Sequence, residues 1–178
     1  MGKKTFFKTT ALVAVLGSTL LGGNAMGALP QNATAVEVPA QTIQLTQEWD
    51  KIFPQSDKVD HRKVTFKNRY GLTLVGDLYV PKNSKGKLPA IAVSGPFGAV
   101  KEQTSGLYAQ TLAERGFVTI AFDGSYTGES SGSPRNVPSP EINTEDFSAA
   151  VDFLGSLDNV NRDEIGILGV CGWGGFAL

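Results

Sequence analysis

The only cysteine of the chain, Cys171, lies in a sequence context that suits a nucleophile. The apolar run from Ile165 to Val170 predicts a buried strand before it, and the glycine-rich sequence after it predicts a sharp turn into a helix near Trp173. In a nucleophile elbow, the nucleophile lies at a tight turn between a strand and a helix, and the turn exposes it above the sheet. Such a turn requires small residues next to the nucleophile, and Gly169 and Gly172 meet that requirement here. A packing thiol buried at a strand end is the alternative, because free cysteine is among the most buried residue types.

The segment from Ser94 to Gly98 follows another apolar run and suits the oxyanion hole that acyl transfer requires. In hydrolases with such an elbow, this loop supplies one oxyanion amide, and the residue after the nucleophile supplies the other. Pro96 has no N–H, so we assign the amide of this loop to Phe97 and its partner amide to Gly172. An ordinary Gly/Pro turn is the competing interpretation.

Three further polar residues near these loops have simpler interpretations. Asp123 begins the loop after the next apolar run, where an aspartate usually bonds its own backbone, so we expect a structural role. Lys101 and Glu102 are expected to form either an ion pair at the mouth of the site or, more commonly for such residues, a solvated helix start.

The catalytic base is the missing part of this pattern. A cysteine nucleophile normally needs a histidine, and the sequence holds one, His61. In elbow hydrolases the acid and the histidine follow the nucleophile, but only seven residues follow Cys171, and His61 precedes the first predicted strand. We therefore do not expect His61 to be the base, and we expect this chain alone to be inactive.

Composition narrows the class of protein. The 178 residues carry a net charge of −1 and are 41% hydrophobic, which suits a folded core and gives no basic surface for nucleic acid. A single cysteine excludes an internal disulfide and an all-cysteine metal site. Neither glycine-rich loop has phosphate-binding spacing, so a nucleotide-binding domain lacks support. No metal or organic cofactor is implied.

Residues 1–27 have the three-part pattern of a secretory signal peptide. Three lysines precede an apolar run from Ala11 to Leu21. The segment Ala25-Met26-Gly27 then has small residues at the two positions that a signal peptidase recognises before its cleavage site. The run is short for a permanent span, so an uncleaved anchor is the less favoured alternative. Cleavage would remove three lysines and no acid, lowering the net charge from −1 to −4. We expect a secreted or periplasmic protein that does not bind a membrane after cleavage.

The rest of the chain divides into two parts. Residues 28–59 are expected to be a flexible lead-in that includes a short helix near its end, and residues 60–178 a partial α/β domain. Alternating apolar residues over 64–80 predict an antiparallel hairpin with its turn at Tyr70-Gly71.

After the hairpin, short apolar runs alternate with helix-like segments. Lys101 to Arg115 predicts a helix with Tyr108 and Leu112 on its buried stripe, and Asn143 is expected to cap the next helix. This order predicts a mostly parallel, doubly wound sheet whose site lies at the carboxyl ends of its strands. The predicted buried strands are Ala90 to Val93, Val118 to Phe122 and Ile165 to Val170.

Several segments together resemble one family from about Asp60 to Leu178. The chain is similar to bacterial α/β-hydrolases related to dienelactone hydrolases and polyketide-transferase-type hydrolases. The resemblance implies the α/β-hydrolase fold, a nucleophile–Asp–His triad and hydrolysis of a small ester or thioester. The segments that carry it are Gly95 to Gly98, Val100 to Gln103, Tyr108 to Gln110, Ala113 to Phe117, Ala121 to Asp123, Ser125 to Gly132, Pro134-Arg135, Glu145-Asp146, Ala149 to Asp152 and Gly169 to Gly175.

We therefore expect an exported hydrolase of esters or thioesters that acts through an acyl-Cys171 intermediate. The resemblance implies that the later strands and the triad Asp and His lie beyond Leu178, so the chain is interpreted as truncated after the elbow. The alternatives are a non-catalytic exported binding protein on a hydrolase scaffold and an inactive truncated gene product.

Overall fold

The structure, a computed structural model, describes residues 43–177, so the predicted signal peptide over residues 1–27 lies outside the described part. The described chain forms one mixed sheet, two α-helices and a final short 3₁₀ helix. The elements are β1 (Val59–Lys67), β2 (Thr73–Pro81), β3 (Leu88–Ser94), α1 (Thr104–Ala113), β4 (Val118–Phe122), α2 (Pro140–Gly155), β5 (Val160–Gly169) and the 3₁₀ helix Cys171–Phe176.

The strand order β1-β2-β4-β3-β5 confirms the predicted α/β-hydrolase architecture. β1 and β2 form the expected antiparallel hairpin, with Phe66 opposite Leu74, and β2 continues antiparallel onto β4. β3 lies between β4 and β5 and pairs parallel with both. The parallel part of the sheet therefore holds the carboxyl ends of β3, β4 and β5 at one edge.

The sheet separates two apolar layers, because successive strand residues point to opposite faces. Leu78 and Ile120 join the layer that α2 covers, whereas their neighbours Tyr79 and Ala121 join the layer that α1 covers. Since α1 follows β3 and α2 follows the adjacent β4, the chain leaves these two strands toward opposite faces. A crevice opens at such a switch point in an α/β sheet.

Helix α1 differs from its prediction in length and in the stripe that it buries. It runs over Thr104–Ala113, and Tyr108 is 49% exposed. The buried side is made of small residues such as Gly106 and Ala109, because the helix approaches its surroundings closely. A Cβ on Gly106 would lie 2.3 Å from the carbonyl oxygen of Lys101.

The short helix predicted near the end of the lead-in is absent from the described residues 43–58, which pack onto the domain. The Trp49 indole N–H donates to the carbonyl of Phe53 at 2.8 Å. The Gln110 side chain accepts from the Ser56 amide and donates to the carbonyl of Pro54. Backbone groups of this segment that a helix would have paired internally instead form hydrogen bonds with the Gln110 side chain of α1 and with the nearby Trp49 side chain.

Helix α2 begins three residues before the predicted cap. It starts at Pro140, a residue suited to a first turn, and Asn143 lies inside that turn. The Asn143 side chain accepts from the Ser139 amide and donates to Asp146. Asn143 therefore braces the start of the helix without being its cap residue.

Asp146 connects α2 to two distant parts of the fold, and these connections were not predicted. Its fully buried carboxylate accepts from Asn68 Nδ2 in the hairpin turn at 2.8 Å and from the amide and hydroxyl of Ser125, each at 2.8 Å. Asn143 Nδ2 also donates to it at 3.0 Å. Burial raises the pKa of Asp146, and these hydrogen bonds oppose the rise.

Strand β5 is less buried than its apolar sequence predicted. It lies at one end of the sheet formed by the described residues, and Ile167 is 39% exposed. A shallow groove beside it is lined by Phe147, Val151, Ile167 and Phe176 among others. Within residues 43–177, no helix is both long enough and apolar enough to cross a bilayer.

We predict that Asp146→Ala lowers the free energy of unfolding by about 3 kcal/mol, because it leaves buried donors of Asn68, Ser125 and Asn143 without an acceptor. Urea denaturation followed by circular dichroism measures the change. Asp152→Ala is the matched control, since Asp152 lies exposed on the same helix and should shift stability by less than about 0.5 kcal/mol. Equal effects of the two substitutions would contradict the role given to Asp146.

Candidate functional site

The chain turns sharply at Cys171. β5 ends at Gly169, the amide of Val170 donates to the carbonyl of Ser94 at 2.9 Å, and the 3₁₀ helix begins at Cys171, two residues earlier than predicted. Cys171 has a φ of 57°, a left-handed conformation that is uncommon outside glycine and occurs at functional turns. Its side chain is exposed, which disagrees with the alternative of a buried packing thiol.

Glycines near the turn allow the backbone segments to approach one another. A Cβ on Gly169 would lie 2.3 Å from the carbonyl oxygen of Trp173, and a Cβ on Gly95 would lie 2.4 Å from that of Val170. A Cβ on Gly172 would lie 2.3 Å from the Phe97 ring. Positions 169 and 95 therefore fit glycine alone, because backbone oxygens lie where a side chain would begin, whereas a side chain at position 172 would displace the exposed Phe97 ring. These glycines bring the loop after β3 against the turn after β5.

Trp173 lies two residues after Cys171, a position that is usually small in a nucleophile elbow. It is 5% exposed and packs edge-to-face against Phe122 and Phe147, with ring centroids 6.0 and 5.7 Å away. Gly124 makes room for the indole, since a Cβ there would lie 2.2 Å from the Trp173 ring. The large side chain is tolerated because it points into the core rather than toward the nucleophile.

The two amides predicted for the oxyanion hole are unused by the rest of the described chain. Among residues 43–177, no carbonyl or side chain accepts a hydrogen bond from the N–H of Phe97 or of Gly172. The Phe97 ring is 46% exposed and lies against Trp173 and Phe176, with centroids 5.9 and 5.4 Å apart. The roles of Phe97, Gly172 and Cys171 remain predictions that these contacts support.

A cavity of about 230 Å³ opens at the carboxyl ends of β3 and β4, where the fold has its switch point. Cys171 is not among its lining residues, whereas Phe97 and Trp173 beside the elbow are. The cavity therefore adjoins the turn at Cys171 without enclosing the thiol. The lining residues are Ser94 to Lys101, Ser105, Phe122, Asp123, Gly124, Thr127, Asn136, Val137, Pro138, Asn143 and Trp173.

Lys101 is completely buried in the wall of this cavity, so the expectation of a solvated helix start is wrong. Its ammonium Nζ lies 2.5 Å from Glu102 Oε1, 2.9 Å from Asp123 Oδ2 and 2.6 Å from Glu129 Oε2. The ion pair with Glu102 that was the other expectation is present, as one of three. A buried cation needs such compensation, because leaving water costs it several kcal/mol.

The charges of this cluster shift the pKa values of its members. Burial opposes the charged form of Lys101, but Asp123, Glu102 and Glu129 outweigh it and raise the pKa of the ammonium. Burial likewise opposes ionisation of Glu129, but hydrogen bonds from Lys101 and Lys63 hold the pKa of that carboxyl below its ordinary value. Both shifts favour the charged forms of Lys101 and Glu129.

Asp123 has the structural role that the sequence predicted. Oδ1 accepts from the Lys101 amide at 2.8 Å, and Oδ2 accepts from the Glu129 amide at 3.0 Å as well as from the Lys101 ammonium. All three partners are donors, an arrangement that a carboxylate satisfies. Asp123 thereby connects the loop after β3 to the loop after β4, the two loops that form the cavity.

The ion-pair cluster continues across the α1 face of the sheet to β1. Lys63 contacts Glu129 at 2.9 Å and Asp50 at 2.6 Å, and Asp50 in turn contacts Lys51 at 2.6 Å. Burial opposes ionisation of Asp50, but Lys51 and Lys63 lower its pKa to about 2. Lys51 then lies 2.8 Å from Asp77.

His61 belongs to the far end of this cluster, with Nε2 2.8 Å from Asp77 Oδ1. It lies on β1, and Cys171 follows β5, so four inter-strand spacings of about 4.8 Å, roughly 19 Å in all, separate their strands. Hydrogen-bonded proton transfer needs a separation near 3 Å. The structure thus agrees with the expectation that His61 is not the base for Cys171.

Glu102, Asp123 and Glu129 are the one group of possible metal ligands in the part of the chain that the structure describes, with oxygens within 4.8 Å of one another. Their common neighbour is the Lys101 ammonium, which contacts all three carboxylates. The ammonium supplies at this point the positive charge that a metal ion would supply elsewhere.

Comparison with known proteins extends these observations. The family model of the X-Pro dipeptidyl-peptidase (S15 family) matches residues 71–177. The uncharacterized protein PA2218 of Pseudomonas aeruginosa is 74% identical over 137 residues, which are 76% of this chain and 37% of that protein. Its crystal structure has a TM-score of 0.75 and 72% identity, over 78% of this chain and 43% of that one.

Two fungal proteins are more distant matches. A thiohydrolase of Aspergillus aculeatus, aneE, is 32% identical over 69% of this chain and 38% of its own length. The α/β-hydrolase GrgF from Penicillium sp. sh18 has a TM-score of 0.59 and 28% identity, over 65% of this chain and 39% of that one. The chain thus spans about two fifths of the length of the curated relatives it matches.

We predict that Lys101→Met lowers the free energy of unfolding by about 3–5 kcal/mol, because it leaves buried carboxylates of Asp123, Glu129 and Glu102 without their shared cation. Chemical denaturation at neutral pH measures the loss. Lys85→Met, an equal change at an exposed loop position, is the control and should leave stability nearly unchanged. A Lys101→Met protein as stable as the control would show that the carboxylates do not depend on this ammonium.

Proposed function

The chain belongs to the X-Pro dipeptidyl-peptidase (S15) family of α/β-hydrolases, and from that premise we propose that it carries the nucleophile and oxyanion hole of an exported ester or thioester hydrolase. The observation that carries the proposal is Cys171 itself. Its thiol is exposed, and its backbone has the left-handed φ of 57° directly after a strand of the parallel sheet. That combination is the geometry of a nucleophile elbow.

The reaction begins with attack of the Cys171 thiolate on the substrate carbonyl carbon. A C–S bond forms, and the carbonyl oxygen becomes an oxyanion that accepts hydrogen bonds from the Phe97 and Gly172 amides. The oxyanion collapses, the C–O or C–S bond to the leaving group breaks, and an alcohol or thiol departs with a proton. Water then attacks the acyl-cysteine, releasing a carboxylic acid and restoring the thiol.

Proton transfer in this scheme requires a base that this sequence does not provide. The sequence contains one histidine, His61, and its strand lies roughly 19 Å from that of Cys171. We propose that the base and its orienting acid come from the part of the protein that corresponds to the remaining length of its relatives. On this proposal the 178 residues alone bind acyl groups but turn them over poorly.

We propose esters and thioesters rather than peptides as substrates because of their leaving groups and because of the name of one relative. An alkoxide or thiolate is a better leaving group than an amine, which must be protonated before it departs. The relative aneE is named a thiohydrolase. The name of the family model refers to a peptidase, so a peptide substrate is the natural comparison in any test.

We predict that Cys171 is acylated during turnover. Protein expressed from its native gene is incubated with a slowly hydrolysed acyl thioester, and peptide mass spectrometry locates the adduct. An acyl group on the peptide that contains Cys171 is expected, and Cys171→Ala should abolish turnover with an unchanged denaturation midpoint. Cys171→Ser should retain a part of the activity, because the same base and oxyanion hole serve a hydroxyl.

The alternatives give different results in the same experiment. Undiminished esterase activity in Cys171→Ala would place the chemistry elsewhere and leave the thiol without a catalytic role. Binding of the thioester without acylation or turnover would favour a non-catalytic binding protein on this scaffold. Preferential cleavage of an X-Pro dipeptide anilide would indicate a peptidase rather than an esterase.

We also propose that the protein acts after export, with Met1 to Gly27 removed. Support comes from the charged start, the short apolar run and the small residues Ala25 and Gly27. The mature N-terminus is expected at Ala28, and N-terminal mass spectrometry of protein from culture medium or periplasm measures it. Ala25→Leu blocks the peptidase site and should leave the segment attached. Exported wild-type protein that retains Met1 would refute cleavage.

A further inference from the structure

The chain before β1 lies on the α1 face of the sheet, and we call its residues 47–53 the strap. At the outer edge of β1, the Gln47 side chain accepts a hydrogen bond from the Lys63 amide at 3.1 Å. At the other end of the strap, the Ile52 amide donates to the carbonyl of Glu102 at 3.2 Å. The strap therefore runs from the edge of the sheet to the end of the loop after β3.

A row of alternating charges leads from the strap to the loop after β4. Asp50 of the strap contacts Lys63 at 2.6 Å, and Lys63 contacts Glu129 at 2.9 Å. Glu129 contacts Lys101 at 2.6 Å, and Lys101 contacts Asp123 at 2.9 Å. Because Glu129 lies between two ammonium groups, its position depends on how much of the Lys63 charge is neutralised by Asp50.

Lys63 cannot replace a lost partner with bulk water, because its side chain is completely buried. Without the Asp50 charge, its remaining carboxylate partners among residues 43–177 are Glu129 at 2.9 Å and Glu102 at 3.6 Å. Both of these carboxylates also contact the Lys101 ammonium, at 2.6 and 2.5 Å. Loss of the Asp50 charge therefore makes Lys63 compete with Lys101 for the same two carboxylates.

Lys101 connects this competition to the loop that carries Phe97. It lies four residues after Phe97 at the end of that loop, and its amide donates to Asp123 Oδ1 at 2.8 Å. The segment between the two residues is a compact turn, in which the Ala99 amide donates to the carbonyl of Pro96 at 3.2 Å. A displacement of Lys101 therefore changes the direction of the Phe97 amide.

We propose that Asp50 of the strap is a positioning residue for the loop after β3, acting through the row of alternating charges. Asp50 contributes no group to the reaction; it fixes the direction in which the Phe97 amide points. The proposal rests on the proposed function in one respect, since this direction affects turnover only if the Phe97 amide binds the oxyanion. A segment that precedes the first strand of the domain thereby takes part in forming the site.

The kinetic test measures kcat and KM for p-nitrophenyl acetate, using protein expressed from its native gene. Asp50→Asn removes the charge at nearly constant size, and the variant is expected to remain folded because the Asp50 side chain is 34% exposed. Its kcat should fall about tenfold at unchanged KM, since the oxyanion forms only in the transition state. Asp50→Glu keeps the charge and should retain most of the wild-type kcat. Asp57→Asn, at an exposed position of the same segment, is the matched control and should change neither constant.

The NMR signal of the Phe97 amide separates failure of this positioning role from failure of the proposed function. Protein isotope-labelled at its phenylalanine nitrogens gives that signal, which is assigned by its loss in Phe97→Leu. It should shift in Asp50→Asn, whereas the signal of Phe153 on the opposite face of the sheet should not. Such a shift with unchanged kcat, or in protein without esterase activity, supports the positioning role and contradicts the proposed function. A Phe97 signal that does not move in Asp50→Asn, or that moves equally in Asp50→Glu or Asp57→Asn, overturns the positioning role whatever happens to kcat.

Discussion

The buried ammonium of Lys101 is the interaction on which the cavity depends. It lies at the end of the loop after β3, and through Asp123 and Glu129 it attaches that loop to the loop after β4. The Asp123 carboxylate also accepts hydrogen bonds from the backbone amides of Lys101 and Glu129, one on each side of the same junction. The loop that carries Phe97 is consequently positioned by charges on its neighbour rather than by regular secondary structure. Charged pairs of this kind fix geometry well, even where they contribute little net stability.

Local patterns in the sequence were sufficient to predict most of the sheet and the position of the elbow. Strands of alternating or continuous apolar residues and the glycines around Cys171 depend only on near neighbours in the chain. The ion-pair cluster could not be predicted in this way, because Lys63 and Glu129 are 66 residues apart. The same is true of Asp146, whose partner Asn68 is 78 residues away. A lone charged residue within an apolar run, as at Asp77, is the available signal that a charge will be buried, and Lys63, which follows Arg62, lacks that signal.

The differences in the helices also have one physical origin. The α1 stripe was predicted from large apolar side chains, whereas the buried side of the helix consists mostly of small residues such as Gly106, Ala109 and Ala113. At the elbow the opposite holds, since Trp173 fills a space that Gly124 leaves open. The periodicity of apolar residues indicates which side of a helix or strand is buried. The distance to the neighbouring element determines how large the buried side chains can be.

The placement of the two tryptophans has a spectroscopic consequence. Trp173 lies in the apolar layer covered by α2, and Trp49 packs against the layer covered by α1. The chain has no other tryptophan, so each face of the sheet carries one indole fluorophore. With either indole replaced by phenylalanine, the emission of the other reports on one layer alone. Fluorescence therefore distinguishes loosening around the elbow from loosening around the ion-pair cluster, without any attached label.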